Sequence, residues 1–308
     1  MPKLYKLQIL SYSMKAAELF DGLSLGRVHS HKNLAFRRLY GPNRFQHPVL
    51  TLDEALGTGK FRVTDSGDAP TVIAQSDLEQ DVFIGVGMIF VGDSQNRAAI
   101  HPLIVPAHSQ EVSIPVNCVQ HSRYTRRGSA YSQSSSISMA SIRSGIVAQE
   151  HTWSTIADAA SSLGLETDDH AQFAEEADLG DYLAAFGPPK PKQIGFITAV
   201  RQNGNCSFYS DMVGNEELYG KLHNRLAASV ALVAKQKNPG AIEIRKDQFI
   251  GFLREVLEAK LIRQDLDGSS LADIYILQHP EIAGSALLYK GIPVQVSLRK
   301  DKVPSGQH

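Results

Sequence analysis

The chain has 308 residues, a formal net charge of -1 and two cysteines, Cys118 and Cys206. A nearly balanced charge argues against a general nucleic-acid binder, because phosphate backbones select proteins with a strong basic excess. Two cysteines supply neither a disulfide framework nor a CxxC metal motif, which is typical of a protein of the reducing cytoplasm.

The N-terminal segment is partly apolar, but charged side chains interrupt it. Lys3, Lys6, Lys15 and Glu18 break the apolar run, so the sequence predicts neither a signal peptide nor a membrane-spanning helix. We therefore expect a cytoplasmic protein that does not associate with membranes. Residues 1–22 themselves predict a strand or a short helix that docks on the main body.

Short apolar runs separated by turn residues predict a mostly antiparallel β structure for residues 1–127. An early strand is expected within residues 23–40. The segment TLDEAL predicts a helix of one or two turns, because Thr51 or Asp53 can cap its free N–H groups. Further strands are expected at residues 61–63, 71–74, 82–84, 88–91, 98–104 and 110–119. Turn residues at this spacing are typical of a sandwich or a barrel.

A serine-rich segment, residues 128–147, follows this β-rich region. It has no sustained apolar face, which predicts a loop or a crossing between domains. Beyond it, Trp153, Ile156 and Ala160 recur at helical spacing. A second helix is expected between residues 168 and 186, because the GPPKPK segment cannot continue a helix.

The C-terminal half, residues 148–300, combines strands with long helices. Two β-rich runs joined around Asn203-Gly204 predict a hairpin. Long helices are expected at about residues 215–235 and 247–259, closing strands at 286–289 and 293–298, and a polar tail at 301–308. The sequence therefore predicts an α+β fold, with a mostly antiparallel, sandwich-like or barrel-like N-terminal half followed by an α+β C-terminal half.

Gln95, Asn96 and Arg97 lie at the predicted start of a strand, just past Gly92. An amide beside a guanidinium can bind a ribose hydroxyl or a diphosphate, because the arginine fork donates to paired phosphate oxygens. The alternative is structural, with the same side chains bracing a β-turn through hydrogen bonds to backbone carbonyls. The sequence leaves both interpretations open.

The densest polar cluster follows the next predicted strand. It consists of Gln120, His121, Arg123, Tyr124, Arg126 and Arg127. These arginines can hold an anionic nucleotide while the tyrosine stacks on a base. Alternatively, the cluster is a solvated exit from a strand or a protected sheet edge. The ligand-binding hypothesis requires that these guanidinium groups and that of Arg97 meet in one cleft.

Two further groups of reactive residues favour structural roles. Cys118 would need a nearby cation to become a nucleophile, and His121 or Arg123 are close enough in sequence. A buried, inert thiol is favoured, because free cysteine is among the most buried residue types. Glu150-His151 and Asp168-Asp169-His170 lack metal-site spacing and are interpreted as helix-capping acids, so we predict no metal site and identify no cofactor.

The central block resembles a known family. The run GVGMIFVGDSQNR (residues 85–97), the strand that follows it and IPVNCVQHSRY (residues 114–124) resemble the proteins associated with ADP-ribosylglycohydrolases and rhodanese-like phosphatases, a domain of unknown function. Weaker matches at LSLGR, TLDEAL, YLAAF and KQIGFITAV extend the resemblance over about residues 22–235 and to the C-terminal strands. Gln120 and His121 stand where the family commonly has an acidic residue and a glycine. The resemblance implies no established reaction, but genomic association implies a role near NAD or ADP-ribose metabolism.

Three functions are compatible with the sequence. The leading hypothesis is a module that binds an ADP-ribose-like or other NAD-derived nucleotide through an arginine-rich cleft at strand ends. The second is a hydrolase of such a nucleotide, with His121 as acid or base and Arg97 stabilising charge. The third is a non-catalytic protein- or RNA-interaction module, in which the net charge makes RNA the weakest partner. An uncovered sheet edge is compatible with a homo-oligomer.

Overall fold

The computed structural model describes residues 13–68, 70–92, 94–122, 130–143, 149–202, 204–236, 244–264 and 270–304. The first twelve strands are β1 (Ser13–Lys15), β2 (Ser24–His31), β3 (Leu34–Tyr40), β4 (Val49–Thr51), β5 (Phe61–Asp65), β6 (Thr71–Ser76), β7 (Asp81–Ile84), β8 (Met88–Val91), β9 (Arg97–Ala99), β10 (Leu103–Val105), β11 (Val112–Cys118) and β12 (Ser132–Ile137). The remaining strands are β13 (Gln193–Gln202), β14 (Asn205–Val213), β15 (Lys260–Gln264), β16 (Asp273–Gln278), β17 (Ile282–Tyr289) and β18 (Ile292–Pro304).

The helices lie mostly in the second half of the chain. They are α1 (Leu52–Gly57), α2 (Ala140–Arg143), α3 (Gln149–Ser162), α4 (His170–Glu176), α5 (Gly180–Phe186), α6 (Glu216–Lys235) and α7 (Lys246–Glu258), and a 3-10 helix spans Ala16–Phe20. The predicted α+β class is confirmed. None of the helices in the described part of the chain has both the length and the apolar character to cross a bilayer.

A nine-stranded antiparallel sheet forms the centre of the molecule. Its strand order is β1-β15-β16-β17-β18-β14-β13-β3-β2. The hairpin predicted around Asn203-Gly204 is confirmed, because β13 pairs with β14 as its antiparallel neighbour. On its other edge β13 pairs with β3, with Thr198 opposite Phe36. β3 lies before the domain boundary predicted at residue 127 and β13 lies after it, so the nine-stranded sheet contains strands from both predicted domains. The domain boundaries stay a prediction.

Two smaller sheets contain the rest of the N-terminal strands. The six-stranded sheet has the antiparallel order β12-β8-β9-β11-β6-β5, and the three-stranded sheet has the order β10-β7-β4. Only the β4–β7 pair of these sheets is parallel among the described residues. The N-terminal half is therefore mostly antiparallel, as predicted.

The nine-stranded sheet separates two hydrophobic cores. Phe196 and Val200 of β13 lie in the larger core, which also contains α6 and the smaller sheets. Ile197 and Ala199 lie in the second core, against α7. Side chains alternate in direction along a strand, so β13 contributes to both cores. α7 thus covers one face of the sheet, and α6 packs on the opposite face.

The serine-rich segment, predicted as a loop or a crossing between domains, contains β12 and α2, so the loop prediction is wrong for residues 132–137 and 140–143. Ser134 and Ser136 of β12 are buried, and their hydroxyl oxygens lie 3.0 Å apart in a hydrogen bond. Because these hydroxyl groups satisfy one another, polar side chains occupy an inward-facing position that normally holds apolar residues. The sequence of β12 therefore lacks the alternation of apolar and polar residues by which a strand is predicted.

Three other predictions have the wrong limits. The strand expected at 98–104 is divided into β9 and β10 around His101-Pro102, because proline has no N–H for strand pairing. The helix expected between 168 and 186 is divided into α4 and α5, and at the break the Asp178 carboxylate accepts a hydrogen bond from the N–H of Gly180 (3.2 Å). β18 continues to Pro304, into the predicted polar tail, and β15 and β16 lie outside the predicted strands.

Candidate functional site

The predicted residues Gln95, Asn96 and Arg97 are buried, with exposed fractions of 4%, 3% and 1%. The Asn96 amide donates to both carboxylate oxygens of Asp169, at 3.0 and 2.8 Å. Its carbonyl oxygen accepts from the N–H of Gly92 (3.1 Å). This arrangement matches the structural interpretation, in which the side chains brace the strand end.

Gln120 joins the same hydrogen-bonded group. The Gln95 amide donates to the backbone oxygen of Gln120, and the N–H of Asn96 donates to the Gln120 side chain (3.3 Å). Asp169 also caps α4, because its carboxylate accepts from the N–H of Ala171 (3.0 Å). The interpretation of Asp169 as a helix-capping acid is therefore confirmed. The structure brings together three of the predicted ligand-binding residues, but as a buried connection between strands and α4.

His121 lies beside this group without an oriented acidic partner. Its ring packs edge-on against Trp153, with a centroid separation of 4.5 Å. Its backbone N–H donates to the carbonyl of Asp168 (3.3 Å). Among the described residues, no carboxylate forms an ion pair with the His121 imidazole. A histidine that acts as a base normally has a partner that fixes its tautomer, so this position gives the proposed acid–base role no support.

The remaining members of the predicted cluster, Arg123, Tyr124, Arg126 and Arg127, lie outside the described residues. Their convergence with Arg97 therefore stays a prediction. Arg97 itself lies close to the thiol of Cys118. Burial raises the pKa of Cys118 above its ordinary value even though the Arg97 guanidinium acts to lower it. A buried thiol with a raised pKa is a poor nucleophile.

A cavity of about 440 Å³ lies where the segment after β3 meets the start of α6. We call it the α6 cavity. Its polar lining consists of Asn43, Gln46, His47, Gln80, Asn215, Glu217 and Lys221. These residues come from three separate parts of the chain, so no local sequence pattern marks the site. Cavities of this volume are typical of small-molecule sites.

Hydrogen bonds fix the wall of the α6 cavity. Asn215 caps α6 through a hydrogen bond from the N–H of Leu218 (2.7 Å), and its amide donates to the carbonyl of Phe45 (2.6 Å). Asn43 accepts from the N–H of Glu216 (2.8 Å). Gly214 allows this close approach, because an added Cβ there would overlap Phe45. The segment after β3 is thus held against the helix before any ligand binds.

His47 of the cavity lining forms a hydrogen-bonded pair with Asp81, the first residue of β7. Its Nε2 lies 2.6 Å from Asp81 Oδ2, and Asp81 Oδ1 accepts from the N–H of Ala107 (2.7 Å). The His47 ring also stacks on Tyr289, with centroids 4.5 Å apart and planes 23° apart. A carboxylate only accepts hydrogen bonds, so this contact requires the proton on Nε2, and in the neutral form of the ring Nδ1 carries the lone pair.

Lys221 supplies a positive charge to the same cavity. Its Nζ lies 3.0 Å from Glu54 and 3.2 Å from Glu217. Although burial acts to lower the pKa of Lys221, its bonds to the two carboxylates raise it above the ordinary value. The Lys221 side chain keeps 32% of its surface exposed. The α6 cavity therefore combines carboxamides, an oriented imidazole and a partly exposed lysine that is paired with Glu217 of the same lining and with Glu54.

Comparison with known families identifies the chain. The sequence model of the ARG and Rhodanese-Phosphatase-superfamily-associated Protein (ARPP-1) domain matches residues 22–299. The chain belongs to the ARPP-1 family. The resemblance inferred from the central block is confirmed, and the match extends through the C-terminal strands. No curated protein and no solved structure matches the chain.

A second cavity of the ARPP-1 domain, about 650 Å³, lies between α3, the β13–β14 hairpin and β18. Its polar lining includes Ser141, His151, Asp158, Ser207 and Asp301. Two carboxylates, Asp158 and Asp301, line this cavity with no lysine or arginine among its described lining residues, whereas the α6 cavity is lined by one carboxylate, Glu217, together with Lys221. Because like charges repel at short range, an anionic ligand is disfavoured less in the α6 cavity than in the second cavity. In the described part of the ARPP-1 domain, no group of three or more His, Cys, Asp and Glu side chains is placed to hold a metal ion.

Proposed function

We propose that the ARPP-1 domain binds an ADP-ribose-like or other NAD-derived nucleotide in the α6 cavity. One observation carries the proposal, namely the combination of four carboxamides with one lysine in a single wall. Carboxamides both donate and accept, so they suit ribose hydroxyl groups and the edges of a base. Lys221 can donate to a phosphate oxygen, and a bound diphosphate would compete with Glu54 and Glu217 for its ammonium group.

This proposal changes the residues that we expect to contact the ligand. Arg97 is 1% exposed, so it contacts protein atoms and does not line an open cleft. The segment that contains Arg123, Arg126 and Arg127 stays a separate prediction. The association of the ARPP-1 family with ADP-ribosylglycohydrolases supports a nucleotide as the ligand class. This support is genomic and does not depend on the geometry of the cavity.

Calorimetry with ADP-ribose and NAD tests the proposal on the full chain. We expect Lys221→Gln to weaken binding by about tenfold to a hundredfold, because a charge-assisted hydrogen bond contributes about 1.5–3 kcal/mol. Lys260→Gln is the matched control, since Lys260 is an exposed lysine of β15 that does not line the cavity. Absence of binding at millimolar ligand, or equal weakening in both variants, would reject the α6 cavity as a nucleotide site.

A further inference from the structure

The His47–Asp81 pair has the geometry of a proton-accepting dyad. Asp81 is held on both oxygens, one by the N–H of Ala107 at 2.7 Å and the other by His47 Nε2 at 2.6 Å. Tyr289 stacks on the imidazole and limits its rotation. Asp81 and Tyr289 thus fix the orientation of the His47 ring, and Ala107 fixes the orientation of Asp81. Among the described residues, none forms a hydrogen bond with His47 Nδ1.

A second histidine–carboxylate pair shows what is distinctive about His47. His108 Nε2 lies 3.0 Å from Glu79, but these side chains are 59% and 87% exposed. The corresponding exposures of His47 and Asp81 are 29% and 13%. His108 does not line the α6 cavity, whereas His47 does. A histidine–carboxylate pair alone therefore does not indicate a site. The His47–Asp81 pair differs from the His108–Glu79 pair because it is partly buried and adjoins a cavity.

We propose that His47 is a catalytic proton acceptor and that the α6 cavity hydrolyses carboxylic esters of a ribose hydroxyl on its bound nucleotide. Asp81 is the positioning residue of the pair. The substrate class rests on the proposed nucleotide function. No serine, threonine or cysteine of the described residues lines the cavity, so water is the nucleophile.

An ester matches a site with one oriented histidine. Nδ1 takes a proton from water as the water oxygen bonds to the ester carbonyl carbon, which gives a tetrahedral oxyanion. The bond from that carbon to the ribose oxygen then breaks, and the imidazolium returns its proton to the ribose oxygen. The products are the free hydroxyl and a carboxylic acid, which loses its proton to solvent. The carboxamides of the lining can stabilise the oxyanion by donating N–H groups to it.

Acetate release from O-acetyl-ADP-ribose is the direct assay, with ADP-ribose affinity measured separately by calorimetry. We expect His47→Gln to lower kcat by about 10²- to 10⁴-fold, which is the usual contribution of a general base, with the ADP-ribose Kd unchanged within about threefold. Asp81→Asn should also lower kcat. The matched controls His108→Gln and Glu79→Gln should leave kcat unchanged.

Nitrogen-15 NMR of the wild-type imidazoles gives a test that does not depend on the folding of a variant. His47 of the wild-type chain should carry its proton on Nε2, the nitrogen that faces Asp81. A proton on Nδ1 of the wild-type ring would overturn the inference.

The two proposals fail separately. If ADP-ribose binds and the ester is not hydrolysed, or if hydrolysis persists in His47→Gln, the catalytic inference is wrong and the binding proposal stands. If hydrolysis requires His47 but ADP-ribose does not bind, the nucleotide proposal is wrong and the role of His47 stands. If the protein neither binds nor hydrolyses these probes, both are wrong.

Discussion

Replacement of Arg143 should strongly destabilise the fold, because its charge is part of a buried ion pair. The Arg143 side chain is 0% exposed and that of Asp211 is 2% exposed. Their atoms meet in two parallel contacts, Nη1 to Oδ1 at 2.5 Å and Nη2 to Oδ2 at 2.7 Å. Ser297 donates to Asp211 at 2.9 Å, and Arg143 donates to Ser229 of α6 at 3.2 Å. The pair thus connects α2, β14, β18 and α6.

The expected cost follows from what Arg143→Met leaves behind. Asp211 loses both guanidinium contacts and retains a hydroxyl donor from Ser297, so a carboxylate stays buried without its compensating charge. Breaking a buried pair in this way costs about 3–5 kcal/mol. Adding Asp211→Leu removes the stranded charge, and the double variant should recover most of that loss because apolar replacements of buried pairs are often neutral.

Urea unfolding of the single and double variants measures the coupling between the two residues. Arg263 and Asp273 provide the matched control, since they form an ion pair at 2.7 Å with side chains 54% and 40% exposed. The same substitutions there should show a coupling of about 0.2–1 kcal/mol. A cost below about 1 kcal/mol for Arg143→Met, or the same coupling in the two pairs, would show that burial does not make the Arg143–Asp211 pair important for stability.

Two further predictions concern the surroundings of α2 and α4. Gly87→Ala should destabilise the protein by about 1–3 kcal/mol, because Gly87 has a φ of 78° and a Cβ there would overlap Arg143. Gly291 is the matched control, because it has the same φ but no atom of the described residues within 4 Å of an added Cβ. Thermal unfolding of Gly87→Ala and Gly291→Ala therefore separates the effect of overlap from that of backbone strain. Equal losses of stability in the two variants would exclude the overlap. Burial lowers the pKa of His170 to about 4. The folded chain therefore resists protonation of His170, whereas the unfolded chain takes up a proton near pH 6.5. The contribution of His170 to the free energy of unfolding is complete above pH 6.5 and falls by about 3 kcal/mol as the pH is lowered toward 4. Urea unfolding at several pH values should show a weaker dependence for His170→Gln than for the wild-type chain, and identical dependence would contradict this assignment.

The elements that the sequence predicts are those whose signals are local. Thr51 begins α1 with a capping box, in which its backbone N–H donates to Glu54 at 2.8 Å. Asn215 caps α6, and Leu218, Leu222 and Leu226 are buried along one face of that helix. Capping contacts and helical periodicity involve residues a few positions apart, so one sequence is sufficient to reveal them.

The arrangement of the strands has no comparable local signal. β3 and β13 are neighbours in the nine-stranded sheet although Phe36 and Thr198 are far apart in the chain. The same holds for the α6 cavity, where His47 from the segment after β3 and Lys221 from α6 share one wall. Long-range pairing depends on the energy of the whole packed structure, and a pattern of residue types in one segment does not encode it.

The contrast between Asn96 and His47 shows why density of polar residues is a weak guide to a site. Asn96 lies in a dense polar run, and its hydrogen bonds to Asp169 and Gly92 satisfy groups at a strand end and a helix start. Buried backbone groups require such partners, so polar residues collect where elements end, with or without a ligand. His47 has only Asp81 as its hydrogen-bond partner among the described residues and borders a cavity. An oriented donor–acceptor group beside open volume is the stronger indication of function, and only the folded chain reveals it.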